Sequence, residues 1–135
     1  MKKRYLVIML LAVIVIAGIF IGKSFLGTKP FRDLSVSEIS SISVKLSPPD
    51  VVFELTDSEI EELVEILHTV IIYREDNSYS DYAGQGVIVT ITKTDGTQRK
   101  ATAYNPFFII DEVGYKTKYE PCEKVNSWAN ELRHK

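Results

Sequence analysis

Residue types that carry most catalysis and metal binding are scarce in this chain. Among its 135 residues there is one cysteine, Cys122, and there are two histidines, His68 and His134. A lone cysteine excludes an intramolecular disulfide and a metal site made of several thiolates. A zinc site needs paired histidines or a mixed cluster of ligands, which this spacing does not offer. His68 is better explained as a cation at the end of a helix, so we predict no metal site.

Sequence motifs of the common enzyme classes are also missing. The chain has no G-x-S-x-G element, no P-loop, no Rossmann glycine pattern and no S-x-x-K element, which removes the usual nucleophile and nucleotide sites. Cys122 lies between Glu120 and Glu123, whose charges disfavour a thiolate, and a buried packing residue is the better interpretation. We therefore predict that the protein is not an enzyme, has no catalytic residues and needs no cofactor.

Positive charge is short in the larger part of the chain. Three of the 16 basic residues and none of the 18 acidic ones precede position 23, so the remainder has 13 bases against 18 acids, a net charge of −5. Nucleic-acid binding requires a clustered basic surface, so we expect no nucleic-acid partner. The acidic residues of 59–65 are predicted to form the solvated face of a helix rather than a cation site.

The longest apolar run covers residues 5–22 and contains no charge. As a helix, 18 residues span about 27 Å, close to the roughly 30 Å hydrocarbon core of a bilayer. Three cations at 2–4 precede the run, so the positive-inside rule places residues 1–4 in the cytoplasm. The run predicts a single transmembrane helix in contact with membrane lipid, at the cell membrane, with the rest of the chain outside the cytoplasm.

A cleaved secretory signal is the alternative for the same segment. The apolar region of such a signal usually has about 7–15 residues and ends in a small-x-small cleavage site. Here the run is longer, and the small residues Ala17, Gly18 and Gly22 stand among bulky ones. We favour an uncleaved anchor, although cleavage stays open, and both alternatives place the domain outside the cytoplasm.

The hydrophobic pattern of the residues after the apolar run predicts a linker at 23–34 and one domain at 35–135. Apolar residues alternate with polar ones at 41–46 and at 87–92, and Asp95-Gly96 is a strong turn signal. Thr56-x-x-Glu59 has the spacing of a capping box. Further strands are predicted at 51–55, 70–73, 97–104, 107–110 and 115–118, and helices after Thr56 and from Pro121.

These elements run in the order β-β-α-β-β-β-β-β-α. Most of the connections are too short for parallel crossovers. The sequence therefore predicts an α+β fold, with a mainly antiparallel sheet, two amphipathic helices on one face and a single N-terminal transmembrane helix before it.

The most irregular stretch is the loop at 76–86, which contains Tyr79, Tyr82 and Gln85. Tyrosine combines a large contact area with a polar tip, and loops of Tyr, Ser and Gly are typical of binding surfaces. With Tyr104 and Tyr115 from the later strands, these residues are our candidates for ligand or partner binding. The alternative is that the rings only close the sheet edge and pack against the helices.

Several short motifs occur between positions 29 and 132. They are KPF at 29–31, PP at 48–49, IY at 72–73, YSDY at 79–82, GQG at 84–86, TKTDG at 92–96, YNPF at 104–107, ID at 110–111, GYKT at 114–117 and YEPCE at 119–123. The series resembles a small exported domain of Gram-positive bacteria that has no assigned function. That domain is found alone behind a membrane anchor and at the extracytoplasmic end of beta-lactam antirepressor-type zinc peptidases.

The resemblance implies a location outside the cytoplasm and a sensory or accessory role. It transfers no catalytic residues, because the zinc motif of those peptidases lies in a different domain. Our first hypothesis is a membrane-anchored binding or sensor module whose partner is a cell-envelope component or a membrane protein. The second is an inhibitor or accessory subunit of an envelope peptidase or signalling protein.

Overall fold

The computed structural model describes residues 2–134, with side chains for all of them but residues 20–25. After the N-terminal helix, strands and helices follow in the predicted order β-β-α-β-β-β-β-β-α. The elements are α1 (Lys2–Leu26), β1 (Ile39–Ser47), β2 (Val51–Glu54), α2 (Asp57–His68), β3 (Ile72–Glu75), β4 (Gly86–Lys93), β5 (Gln98–Tyr104), β6 (Phe107–Ile110), β7 (Val113–Thr117) and α3 (Tyr119–Arg133).

All seven strands join one antiparallel sheet in the order β2-β1-β4-β5-β6-β7-β3. The four-strand meander from β4 to β7 is sequential, as its short turns predict. Strand β1 pairs with β2 on one side and with β4 on the other, whereas β3 returns to the far edge beside β7. The α+β fold with an antiparallel sheet is confirmed.

Helices α2 and α3 cover one face of this sheet, where the main core lies. Cross-strand neighbours in this core include Val44, Val89 and Ala101, in register on three adjacent strands and all buried. The predicted stripe of α2 is buried against them, at Ile60, Leu63, Val64 and Leu67. Burial of one such side chain contributes about 1.5–3 kcal/mol.

The capping box at the start of α2 forms as its spacing predicts. The Glu59 backbone N–H donates to the Thr56 hydroxyl at 3.3 Å, and the Thr56 N–H donates to the Glu59 carboxylate at 2.8 Å. Two backbone donors that have no partner inside the helix are thereby satisfied. This is why α2 begins at Asp57.

The prediction of a transmembrane helix over residues 5–22 is wrong. No helix in the part of the chain that the structure describes combines the length and the apolar character needed to cross a bilayer. Helix α1 covers Lys2–Leu26 and opens with three cations.

The segment expected to be a linker packs against the domain from residue 27 onward. Thr28 and Ile72 exchange two backbone hydrogen bonds of 2.8 Å, which extends the edge of β3. Phe31 is buried, with its ring edge-on to Phe108 at 5.8 Å. His68 Nε2 donates to the Leu34 carbonyl at 2.6 Å. The core therefore includes residues that precede the predicted domain start at 35.

Candidate binding cleft

The loop at 76–86 crosses the sheet face opposite the helices, which we call the open face. Because side chains alternate along a strand, Phe107 points to this face while Phe108 joins the core. Phe107 is nevertheless fully buried. The rings of Tyr79 and Tyr82 meet it edge-on, with centroids 6.3 and 5.1 Å away, and Lys116 Nζ lies 4.4 Å from its centroid. The two tyrosines thus form a second, smaller apolar cluster on the open face.

Hydrogen bonds fix the first half of this loop to β7. The Asp76 N–H donates to the Gly114 carbonyl, and the Gly114 N–H donates to Asn77 Oδ1, both at 2.8 Å. The Ser78 hydroxyl and then its backbone N–H donate to the Asp76 carboxylate, at 2.6 and 3.0 Å, and hold the pKa of Asp76 below its usual value. The position of Tyr79 therefore follows from hydrogen bonds made by the three residues that precede it.

The second half of the loop is held by Tyr104. Its hydroxyl donates to the Tyr82 carbonyl at 2.6 Å, and its ring lies in ordinary contact with the position where Gly84 would carry a Cβ. Tyr104 comes from β5 and its side chain faces the same way as Phe107, its partner across the strands. Three of the five candidate residues therefore meet around Phe107.

A cleft lies beside Tyr79, on the part of the open face that the loop does not cover. Its floor combines Thr90, Lys100, Thr102 and Ile109. Thr90 and Lys100 are direct cross-strand partners, as are Thr102 and Ile109, and Lys100 and Thr102 share a face because they are two residues apart on β5. A cavity of about 300 Å³ is lined by Tyr79, Lys100, Thr102, Ile109 and Glu112. An adjoining cavity of about 470 Å³ is lined by Thr90, Gln98, Arg99, Lys100, Asp111 and Glu112. We call the surface formed by these residues the tyrosine cleft.

The turn between β6 and β7 forms one wall of the cleft. Asp111 and Glu112 both have positive φ, 47° and 75°, which is the signature of a type I′ hairpin turn. The Asp111 carboxylate accepts from the Lys100 N–H at 3.1 Å and lies 3.5 Å from Arg99 Nε. Asp111 thereby ties the turn to β5 and leaves Glu112 at the rim of the cleft.

Two of the predicted binding residues lie elsewhere. Gln85 bridges the turn after β1 and helix α3, because its Nε2 donates to the Pro48 carbonyl at 3.0 Å and its Oε1 accepts from Asn130 at 2.8 Å. Tyr115 faces the helices and packs against the main core beside its strand partner Phe108. Both side chains support the fold, and neither lines the cleft.

The residues on the floor of the cleft were not among the predicted binding residues. Lys100 and Thr102 alternate with Ala101 and Ala103, which are buried, so their outward direction could have been inferred from the period of two. Glu112 had no such signal, since only the turn geometry brings it beside residues of β5.

Cys122 lies at the start of α3 but faces inward. Burial raises the pKa of its thiol to about 12, and the charge of Glu123 acts in the same direction. Its Sγ lies 3.6 Å from the Phe107 carbonyl, to which the thiol donates. A protonated, buried thiol is a packing group rather than a nucleophile, as the flanking carboxylates predict. Among residues 2–134, no three His, Cys, Asp or Glu side chains converge in a way that could hold a metal ion.

Comparisons with protein-family models, with curated proteins and with solved structures find no match to this chain. The resemblance to the small exported domain therefore stays a prediction.

Proposed function

We propose that this protein is a non-catalytic binding module that recognises its ligand or partner through the tyrosine cleft. The observation that carries the proposal is the placement of Tyr79. Its ring is wedged against Phe107 and Gly114 on one side and lines the cleft on the other. An aromatic ring that is already immobilised loses little conformational entropy when a ligand packs on it, which favours affinity.

The composition of the cleft supports the same function. Ligand sites are concave, of about 300–1,000 Å³, and combine apolar surface with a few polar groups that orient the ligand. Tyr79 and Ile109 supply apolar surface, whereas Thr102 supplies a hydroxyl and Lys100 and Glu112 supply charges. The cleft therefore has both the size and the mixed chemistry of a recognition site.

The positions of the two most reactive residue types also favour binding over catalysis. His68 is engaged with the Leu34 carbonyl beneath α2, and the Cys122 thiol is buried under β6. Neither lines the tyrosine cleft. The alternative of an inhibitor or accessory subunit needs the same kind of surface and stays a prediction.

Cross-linking to the native environment tests the proposal. Wild-type chain and a Tyr79→Ala variant are expressed in the source cells, cross-linked and recovered, and the attached molecules are identified by mass spectrometry. Tyr119→Ala is the matched control, because Tyr119 is 62% exposed on α3, on a different element. We expect Tyr79→Ala to lose a partner that Tyr119→Ala retains. Identical profiles for all three chains would exclude the cleft as the binding surface.

A further inference from the structure

The charged side chains that line the tyrosine cleft fall into two groups. Arg99 and Asp111 form an ion pair with 3.5 Å between Nε and Oδ2. Lys100 and Glu112 form no ion pair with each other or with any other residue that the structure describes. The cleft thus presents one uncompensated positive charge and one uncompensated negative charge.

Their placement makes these two charges usable by a ligand. Lys100 and Glu112 border both cavities of the cleft, Lys100 from the floor on β5 and Glu112 from the β6–β7 turn. Tyr79 and Ile109, with apolar surface, and Thr102, with a hydroxyl, line the first cavity together with these two charges. A ligand that fills this space displaces water, which strengthens its attraction to the flanking charges.

One charge of each sign restricts the class of ligand. A polyanion would meet Glu112 and a polycation would meet Lys100, and either contact is repulsive. A neutral sugar would cover both charges without compensating them, which costs desolvation free energy. A small molecule with one cationic and one anionic end compensates both.

We propose that the tyrosine cleft binds a zwitterion with a free ammonium and a free carboxylate, either an amino acid or a short peptide. The ammonium group pairs with Glu112 and the carboxylate with Lys100, while apolar atoms of the ligand pack on Tyr79 and Ile109. Thr90 and Thr102 lie on the same floor and offer hydroxyls to a peptide amide. This inference rests on the proposed function and specifies its ligand.

Titration of the full chain with four probes tests the ligand class. The probes are alanine, trialanine, trialanine acetylated at its N-terminus and amidated at its C-terminus, and a neutral disaccharide. Binding is followed by the amide chemical shifts of Thr102 and Gly114 and by calorimetry. We expect the free peptide or the free amino acid to bind at least about tenfold more tightly than the blocked peptide, the size of one charge-assisted hydrogen bond. Comparison of alanine with trialanine identifies the source of the zwitterion.

Charge-neutralising variants test which residue binds each end of the zwitterion. We expect Glu112→Gln to remove the preference for a free ammonium, tested with a peptide acetylated only at its N-terminus. Lys100→Gln should remove the preference for a free carboxylate, tested with a peptide amidated only at its C-terminus. Glu61→Gln and Lys124→Gln are matched controls, since both residues are exposed on the helices of the opposite face, and should bind as wild type does.

Equal binding of free and blocked peptides, or no shift with either alanine or trialanine, would overturn the zwitterion assignment. Shifts with the disaccharide alone would also overturn it, yet would leave the cleft as a binding site for a different ligand. The cross-linking experiment tests the proposed function separately. That function is contradicted if the Tyr79→Ala variant cross-links to the same molecules as the wild type.

Discussion

The ring of Tyr79 lies directly against the backbone of Gly114. A Cβ at Gly114 would fall 2.7 Å from Tyr79 Cδ1 and 2.6 Å from the Asp76 carbonyl oxygen. The loop at 76–86 can approach β7 this closely only because residue 114 has no side chain. The wall of the tyrosine cleft therefore depends on a single glycine of the neighbouring strand.

Gly114→Ala should displace the loop and Tyr79 together. Overpacking of this kind costs about 1–3 kcal/mol, and backbone atoms of Asp76 cannot move aside as a flexible side chain would. Urea unfolding measures the loss of stability, and near-ultraviolet circular dichroism reports the changed tyrosine environment. Gly84→Ala is the control, because its Cβ would meet Tyr104 at an ordinary 3.6 Å; equal costs for both variants would contradict the close-approach argument.

Tyr104→Phe should loosen the second half of the loop without disturbing the sheet. The variant removes the hydrogen bond to the Tyr82 carbonyl and keeps the ring, so the expected cost is about 0.5–1.5 kcal/mol. Amide hydrogen exchange of residues 82–86 should accelerate, whereas exchange in β4 and β5 should not. Unchanged exchange in the loop would mean that packing against Phe107 alone holds it.

Glu112→Gly should stabilise the domain and weaken ligand binding in the tyrosine cleft. A residue with a Cβ at positive φ costs roughly 1 kcal/mol, which glycine avoids, and Glu112 has φ of 75°. We expect a higher midpoint of denaturant unfolding together with weaker zwitterion binding. Asp111→Gly makes a useful contrast, because it also removes the contacts to Lys100 and Arg99, and it should destabilise the turn.

The Cys122 thiol should be inert in the folded protein. Its pKa is raised to about 12 by burial, so the thiolate fraction at pH 8 is negligible, and the group is inaccessible as well. Ellman's reagent should react only as fast as the protein unfolds, and fully in denaturant. Rapid modification of the native chain would show that α3 opens, contrary to the packing of Cys122 against β6.

Acid should release the loop through Asp76. Hydrogen bonds from Ser78 lower the folded pKa of this carboxyl below its ordinary value of 3.8, so the carboxylate is favoured by folding. Its contribution is complete well above pH 3.8 and is lost as the pH falls through the lowered folded pKa. We expect the tyrosine environment to change in that acidic range in wild type. In Asp76→Asn the loop should be looser already at neutral pH, with that step absent; an identical acid profile would contradict the assignment.

Local patterns predicted most of the secondary structure because they act over a few residues. The capping box at Thr56 fixed the start of α2, and the Asp95-Gly96 turn joined β4 to β5. Boundaries shifted where the signal was weak. Strand β3 lies at Ile72–Glu75 rather than at 70–73, and β7 starts at Val113, because the turn before it needs only Asp111 and Glu112.

The binding residues were harder to predict than the strands that carry them. Tyr79, Tyr82 and Tyr104 do meet on the open face, but Tyr115 has the same composition signal and faces the core. The residue type of a tyrosine does not show which face of the sheet its side chain points to, because that depends on its position in the strand. Lys100 and Glu112 became neighbours of the same cavities only through the β5–β6–β7 pairing.

Periodicity, capping and turn chemistry in the sequence alone determined the order of elements, the antiparallel sheet and the face that the helices bury. Each of these follows from interactions between residues close in the chain, or from which face of an element is apolar. Tertiary structure decided what lies on the open face. The loop at 76–86 packs there because it buries the Phe107 ring, and because Gly114 has no side chain that would block its approach. Both conditions involve contacts between residues distant in sequence.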